Sequence, residues 1–442
     1  MLKAPMTPPP STSQTTSARR TRILFCCRTP LFGGGAVISL YRLLSRLDRE
    51  RFEPMILAIE SSTSDPYYQK FRDLDIEIIR LRDNDVVGIT SEEEAEARRR
   101  RHRGRKTRLS RVKQLLGPLK VFHDAWKWGT RFLREDWSRI DRVRRILEER
   151  DIDLLYLNDS FQSHRGDILA ARRAGVRCLC HMRIFDRISF FDVRMLRSID
   201  YLVSMSTAIE QHVKAKHAGA VGSVVFDGID LNEYGGPFDC DAVRAEYGFG
   251  PDDFVVGNVG RLATWKGQHI FLQALARIAA KAPNLKGLIV GQTDPDHPEI
   301  LDQLKAIAKE GGIEDRIVFT GFCLEPAALY ASMDLNVHSA IRPEPFGLVV
   351  IETFAAGTPV VATRGGGPLD SVDEGVDGLL VPFKDPDAMG AAILEFYRDR
   401  EKTRVMGQAG QNNARRRFSI ERYVADMERI FDSLLEPVQS NR

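Results

Sequence analysis

No run of about eighteen apolar residues occurs in the 442-residue sequence, so no segment reads as a membrane-spanning helix. Cysteine is scarce. The six residues Cys26, Cys27, Cys178, Cys180, Cys240 and Cys323 include no Cys-x-x-Cys pair, which argues against a zinc ribbon or a thioredoxin-like site. Most lie in apolar runs and read as buried free thiols of a reducing compartment. An excess of one charge is also lacking. Lys plus Arg total 64 against 61 Asp plus Glu, and a net charge of +3 does not imply nucleic-acid binding. Residues 1–20 hold Pro8-Pro9-Pro10 and a Ser/Thr run without an apolar core, and so read as a disordered tail rather than a signal peptide.

From Arg22 onward, short apolar runs alternate with longer amphipathic ones. The pattern predicts strands at Ile23–Cys27, Met55–Ile59, Ile76–Ile79, Leu154–Leu157, Arg177–Cys180, Tyr201–Ser204 and Ser223–Phe226. A second series follows at Phe254–Val259, Gly287–Val290, Ile317–Thr320, Leu335–His338, Pro359–Ala362 and Gly378–Val381. Many are continuous Val, Ile and Leu runs, as expected of parallel strands covered on both faces. Helical periodicity lies between them, as in Ala36–Leu47, Gln268–Ala280 and Leu348–Ala356. The alternation predicts an α/β chain of two doubly wound, Rossmann-like domains. We place them at 21–222 and 223–415, with a terminal segment at 416–442.

One stretch breaks the rhythm. Arg98 to Lys113 carries ten Lys/Arg residues and no acid, and Trp126, Trp128 and Trp137 follow among further cations. The connection is far longer than usual, so residues 90–140 read as an insertion in the first domain. Cations interleaved with amphipathic aromatics over 98–137 suit an anionic membrane surface. No module for reading nucleic-acid bases is apparent, so nucleic acid is not an expected partner.

The chemistry concentrates in the second half. A strand ends at Gly260 and a helix starts near Gln268, so Arg261 and Lys266 project from the strand's carboxyl edge, where open α/β sheets bind ligands. Two fixed cations there suit a diphosphate. Farther on runs Arg342-Pro343-Glu344-Pro345-Phe346-Gly347-Leu348-Val349-Val350-Ile351-Glu352. The prolines exclude mid-helix, and Gly347 opens an apolar helix whose first amides, Phe346 to Leu348, form an anion or hydroxyl site. Glu352 sits among apolar neighbours and needs a partner. Sugar or ribose hydroxyls would serve, as would a salt bridge to a neighbouring helix.

Glu344-x7-Glu352 with its Pro-Phe-Gly interior resembles the signature of the retaining group 1 glycosyltransferases of GT-B fold. Val259-Gly260-Arg261 with Lys266-Gly267 resembles their diphosphate motif. Ala356 to Thr363 and Gly365-Gly366-Gly367-Pro368 fit the strand and loop that follow. The likeness is nearly unbroken from Phe254 to Val381. It is fainter in the first half, at Gly33–Gly35, at Ala170 to Gly175 and at Asp227-Gly228-Ile229-Asp230, where the family often has Asn instead of Asp227. The resemblance implies two Rossmann-like domains facing a cleft, an acceptor site in the first and a nucleotide-sugar site in the second.

It further implies that Arg261 and Lys266 bind the donor diphosphate, that Glu352 accepts from the ribose, and that Glu344 contacts the donor sugar beside the Phe346, Gly347 and Leu348 amides. Phe322 and Cys323 would hold the base. Gly34 and Gly35 would approach the phosphates, and His181 would touch the donor sugar. The implied donor is a UDP- or GDP-sugar and the acceptor a saccharide or lipid-linked hydroxyl, in surface polysaccharide or glycolipid synthesis. The terminal helix should return to the first domain. Asp-x-Asp recurs at many places, such as Asp73/Asp75 and Asp151/Asp153, as chance spacing does, so we expect no metal and no cofactor. The expected location is cytoplasmic, peripheral to the membrane. A nicotinamide oxidoreductase is the competing reading. Gly33-x-Gly35-x-x-Ser39 lacks its third glycine, however, and Glu60 imitates the ribose acid only loosely. A non-catalytic sugar-nucleotide binder is a further one.

Overall fold

The computed structural model describes residues 19–28, 31, 34–59, 65–81, 137–294, 297–323 and 326–436. The basic and aromatic stretch of the insertion, including the proposed membrane surface at 98–137, lies outside the described residues apart from the start of the helix Trp137–Glu149.

Two parallel sheets organise the chain. The first contains β1 (Thr21–Cys27), β2 (Phe52–Ile59), β3 (Glu77–Leu81), β4 (Leu154–Asp159), β5 (Arg177–Met182), β6 (Tyr201–Ser204) and β7 (Gly222–Val224), in the order β3-β2-β1-β4-β5-β6-β7. The second contains β8 (Phe254–Val259), β9 (Leu285–Val290), β10 (Ile317–Gly321), β11 (Leu335–His338), β12 (Val360–Thr363) and β13 (Gly378–Val381), in the order β10-β9-β8-β11-β12-β13. Helices cover both faces, which is why β1 and β12 can be apolar on both sides and buried almost throughout.

Each order reverses once, between β1 and β4 in the first sheet and between β8 and β11 in the second. Connections leaving these strands depart to opposite sides and open a crevice at the carboxyl ends, the general ligand position of doubly wound sheets.

Two features bring the crevices together. The helix Gly35–Arg46 buries Val37, Leu40, Leu43 and Leu44 on the first sheet, while its start abuts the second domain: a Cβ on Gly35 would lie 3.3 Å from Leu348 Cδ1. The last helix, Ile420–Leu435, packs on the first sheet, with Phe431 against Phe25, Phe52 and Tyr156 at 5.7–6.3 Å between ring centroids. Burying one such ring contributes roughly 1.5–3 kcal/mol. The cysteines of β1 and β5 are buried free thiols, and burial pushes them up; Cys27 reaches about 12.

Candidate functional site

The second crevice is lined by the loops after β8 and β11. The loop after β8 is drawn in by Gly267, whose φ of +75° favours glycine and where a Cβ would lie 1.8 Å from the Ser339 carbonyl oxygen. Ser339 Oγ donates to the Lys266 carbonyl at 2.9 Å, and Asn258 Nδ2 donates to Ser339 Oγ at 2.9 Å. Lys266 is thereby held against the loop that carries Glu344.

That loop is seated from its other side by Gly366, where a Cβ would lie 2.0 Å from the Glu344 carbonyl oxygen, and by Gly367 N–H, which donates to the same oxygen at 2.9 Å. The Phe346 ring points away from the crevice. It stacks on Phe226 at 5.9 Å and contacts Phe418 at 6.0 Å. Its ring is an anchor, and the loop's ligand-facing chemistry falls to backbone and to Glu344.

Glu344 is 8% exposed. One carboxylate oxygen pairs with Lys266 Nζ and the other lies 2.5 Å from His338 Nε2. Burial by itself would raise this carboxyl. The Lys266 charge and the His338 hydrogen bond outweigh burial and hold it well below the usual carboxylate range. Glu344 is therefore ionised, with lone pairs left for hydroxyl donors. Lys266 Nζ also lies 4.5 Å from the Trp265 ring centroid. Arg261 stands at the rim, its side chain 52% exposed and 3.9 Å from Asp294. The helix Leu348–Ala355 starts at Gly347, whose φ is +85°, so Gly34, Gly35, Gly347 and Leu348 place two helix N-termini at one cleft. Amide groups without intrahelical partners, aided by the helix dipoles, favour an anion there.

Glu352 has, of the two kinds of partner expected for it, the salt bridge to a neighbouring helix. At 9% exposure it meets two protein partners, Arg42 Nη2 of the first domain at 3.1 Å and Tyr330 OH at 3.1 Å. Arg42 Nη2 also donates to Tyr234 OH at 3.3 Å. The desolvation of the carboxylate is offset by a salt bridge to a neighbouring helix, so ribose hydroxyls are not required to explain its burial. Phe322, 58% exposed, and Cys323 sit at the carboxyl end of β10, two strands away from the crevice.

His181 is fully buried at the carboxyl end of β5, not displayed on an open surface. Its Nδ1 contacts Tyr156 OH at 2.6 Å and Arg183 Nη2 at 3.2 Å, while Nε2 has no partner among the described residues. Burial, then Arg183, depresses its pKa well below the ordinary histidine value. Arg183 is clamped in turn. Nη1 meets both Asp227 oxygens at 2.8 Å, Nε meets Asn158 Oδ1 at 2.9 Å and Nη2 meets Tyr423 OH at 3.1 Å. Ser39 donates to Asp227 as well.

Several of these residues escaped the sequence reading. His338 closes an apolar strand as His181 does, so the same rule would have found it. Arg42 stands in the predicted first helix as a cation beside apolar positions, which is a signal. Arg183 and Tyr330 gave none. Asp159 ends β4 at the first crevice with φ of +119°, an uncommon conformation for a residue with a side chain. Burial raises its carboxyl. Among the described residues no three His, Cys, Asp or Glu side chains are grouped as metal ligands, and no helix is long and apolar enough to cross a membrane.

Comparison with known proteins places this geometry. Residues 239–413 match the family model for glycosyl transferases group 1. The lipopolysaccharide core biosynthesis mannosyltransferase LpsB of Rhizobium meliloti is 27% identical over 243 residues, 54% of this chain and 68% of that protein. The D-inositol 3-phosphate glycosyltransferase of Segniliparus rotundus is 37% identical over 199 residues, 44% of this chain and 43% of that protein. The second of these matches thus spans less than half of its relative's length. Among solved structures, Anabaena HepE in complex with UDP and glucose superposes with a TM-score of 0.72 at 23% identity, covering 94% of this chain and all of that one. A glycosyltransferase from Rickettsia africae superposes with a TM-score of 0.74 at 15% identity, covering 95% of this chain and 99% of that one. The protein thus has the GT-B fold, and its residues 239–413 match the group 1 glycosyl transferase family model.

Proposed function

We propose that this protein transfers a sugar, with retained configuration, from a UDP- or GDP-sugar to a hydroxyl of a saccharide or lipid-linked acceptor in surface polysaccharide or glycolipid synthesis. The observation that carries the reading is the ionised Glu344 held between Lys266 and His338 at the cleft where two helix N-termini converge. The donor diphosphate lies across that cleft. As the glycosidic bond breaks, negative charge grows on the leaving phosphate, where Lys266, Arg261 and the Gly347 and Leu348 amides are already aimed. Glu344 accepts from donor-sugar hydroxyls. The acceptor attacks from the leaving-group face, and the departing phosphate takes its proton. This chain's cations and amides supply the charge stabilisation, so we propose that no metal is needed. Phe322 and Cys323 hold the base. Acceptor delivery at an anionic membrane through 98–137 belongs to the same proposal.

The test is binding and release. UDP or GDP should raise the melting temperature more than uridine or guanosine, and Lys266→Ala should cost the diphosphate about tenfold in affinity, or ~1.4 kcal/mol. Release of UDP or GDP from the matching sugar nucleotide should persist in EDTA. Equal binding of nucleoside and diphosphate by the native protein would remove the assignment.

A further inference from the structure

We propose that Arg183 is a positioning residue that fixes His181 as the neutral tautomer with its proton on Nε2, so that the ring presents one uncharged hydrogen-bond donor to an oxygen of the bound donor sugar. The identity of that oxygen's owner rests on the function proposed above; the tautomer does not.

The constraint on the ring comes from the chemistry of the Arg183 guanidinium. It has five N–H donors and no acceptor. Arg183 Nη2 stands 3.2 Å from His181 Nδ1, so Nδ1 must present its lone pair. Tyr156 OH, at 2.6 Å from the same nitrogen, must then donate as well. Tyrosine alone would settle nothing, because a phenol hydroxyl accepts as readily as it donates and suits either tautomer. Arg183 breaks that tie. With Nδ1 bare, a neutral imidazole carries its proton on Nε2.

Protonation of the ring is opposed by the same residue. A proton on Nδ1 would face a guanidinium inside a buried site. The titratable and charged groups around the ring are Tyr156 on β4, Tyr423 on the last helix, and Arg183 with its counter-ion Asp227. Arg183 is in no position to withdraw. Asn158, Asp227 and Tyr423 fix it from β4, from the segment after β7 and from the last helix.

What remains is Nε2–H, buried and without a partner among the described residues. An unmade buried bond costs about 1–3 kcal/mol. Here the single lone pair of Nδ1 faces two donors while Nε2 has no partner among the described residues, at the carboxyl edge of β5 beside the first crevice. An oxygen acceptor brought by ligand completes it.

The experiment is nitrogen NMR on the full chain labelled with 15N-histidine, His181 being assigned by the resonances lost in His181→Asn. The native protein should show an unprotonated Nδ1 and a protonated Nε2 from pH 5.5 to 8. Removing Arg183 alone would strand Asp227, so the variant is Arg183→Met with Asp227→Asn. Its His181 should become a mixture of tautomers and take up a proton at higher pH than the native ring does, with burial still holding it below the ordinary histidine value. A native Nδ1–H tautomer, a charged ring at pH 7, or an unchanged pure Nε2–H tautomer in the folded variant would each overturn the proposal. UDP-glucose and GDP-mannose are then compared with UDP and GDP. A His181 Nε2 shift with a sugar nucleotide, absent with its bare diphosphate, supports the sugar contact. The same shift with both overturns it. If no nucleotide binds at all, the proposed function fails while the tautomer result stands.

Discussion

The two sheets reverse their strand order at equivalent places, yet the chain has furnished the two crevices in opposite ways. The second holds charges that are paired but reachable, with Arg261 at the rim and Glu344 beside Lys266. Beside the first crevice lies a closed polar network, in which Arg183, Asp227, His181 and Asn158 are buried and interlocked. The difference teaches that a shared reversal of strand order sets where polar groups gather but not whether they are spent on ligand or on holding elements together. Glu344 and Glu352 repeat the contrast within one motif. Glu344 keeps its partners within the second domain, while Glu352 spends one oxygen on Arg42 of the first.

The sharpest way to break the comparison is to remove one half of the closed network. Asp227→Ala leaves the Arg183 guanidinium buried without its counter-ion, and breaking such a pair costs about 3–5 kcal/mol. We expect urea unfolding to register that loss. A change below ~1 kcal/mol would show the network to be solvated and the contrast false. A smaller loss is expected for Glu352→Gln. The amide keeps one acceptor, and the lost charge-assisted bond to Arg42 is worth about 1.5–3 kcal/mol. Stability and nucleotide affinity should fall together in this variant. Falling affinity at unchanged stability would mean that Arg42 contributes little and that ribose is the principal partner.

The open crevice has its own signature, in acid. The Glu344 carboxyl is held below its unfolded value of about 4.5 by Lys266 and His338 against the effect of burial. A depressed value means stability that is present above the unfolded pKa and lost as pH falls below it. Glu344→Gln should therefore be less stable than the native protein at pH 7, and the gap should close steadily below about pH 4.5. A gap independent of pH would show that the carboxylate is not ionised in the fold.

Much of this was legible beforehand, for reasons that can be named. All thirteen strands among the described residues were predicted, the central ones because strands buried on both faces write themselves as apolar runs. Their ends shifted by a few residues, as at Arg177–Met182, because His181 and Met182 still pair with the polar residues Asn158 and Asp159 of β4. Lys266 and Glu344 were found because they flank glycine and proline punctuation that locates a strand end and a helix start. Arg42 was marked only as a cation beside apolar helix positions and Tyr330 not at all, since the identity of a partner 310 or 22 residues away leaves no local trace. The Phe346 ring was invisible for the same reason: its stacking on Phe226 is a fact of tertiary packing.

The smallest expected effect tests whether the first crevice, for all its closure, still keeps something in reserve. Asp159 ends β4 at the reversal point with φ of +119°, and no hydrogen bond or ion pair engages its carboxylate among the described residues. Strained backbone costs of the order of 1–3 kcal/mol and persists where the surroundings impose it. Glycine adopts this conformation freely, but it also gains freedom in the unfolded chain worth about 0.4–1 kcal/mol. Asp159→Gly should on balance be more stable by about 0.5–1 kcal/mol, a rise of a few degrees at most for a chain of this size. Burial of an unpaired carboxyl adds to the expected gain, because burial raises that group and its charged form is disfavoured. If the melting temperature rises while transfer falls, Asp159 is kept for the reaction at the expense of the fold, and the first crevice is a working surface like the second. If the melting temperature falls, the residue is one more strut of the closed network, and the two crevices differ as completely as their pairing suggests.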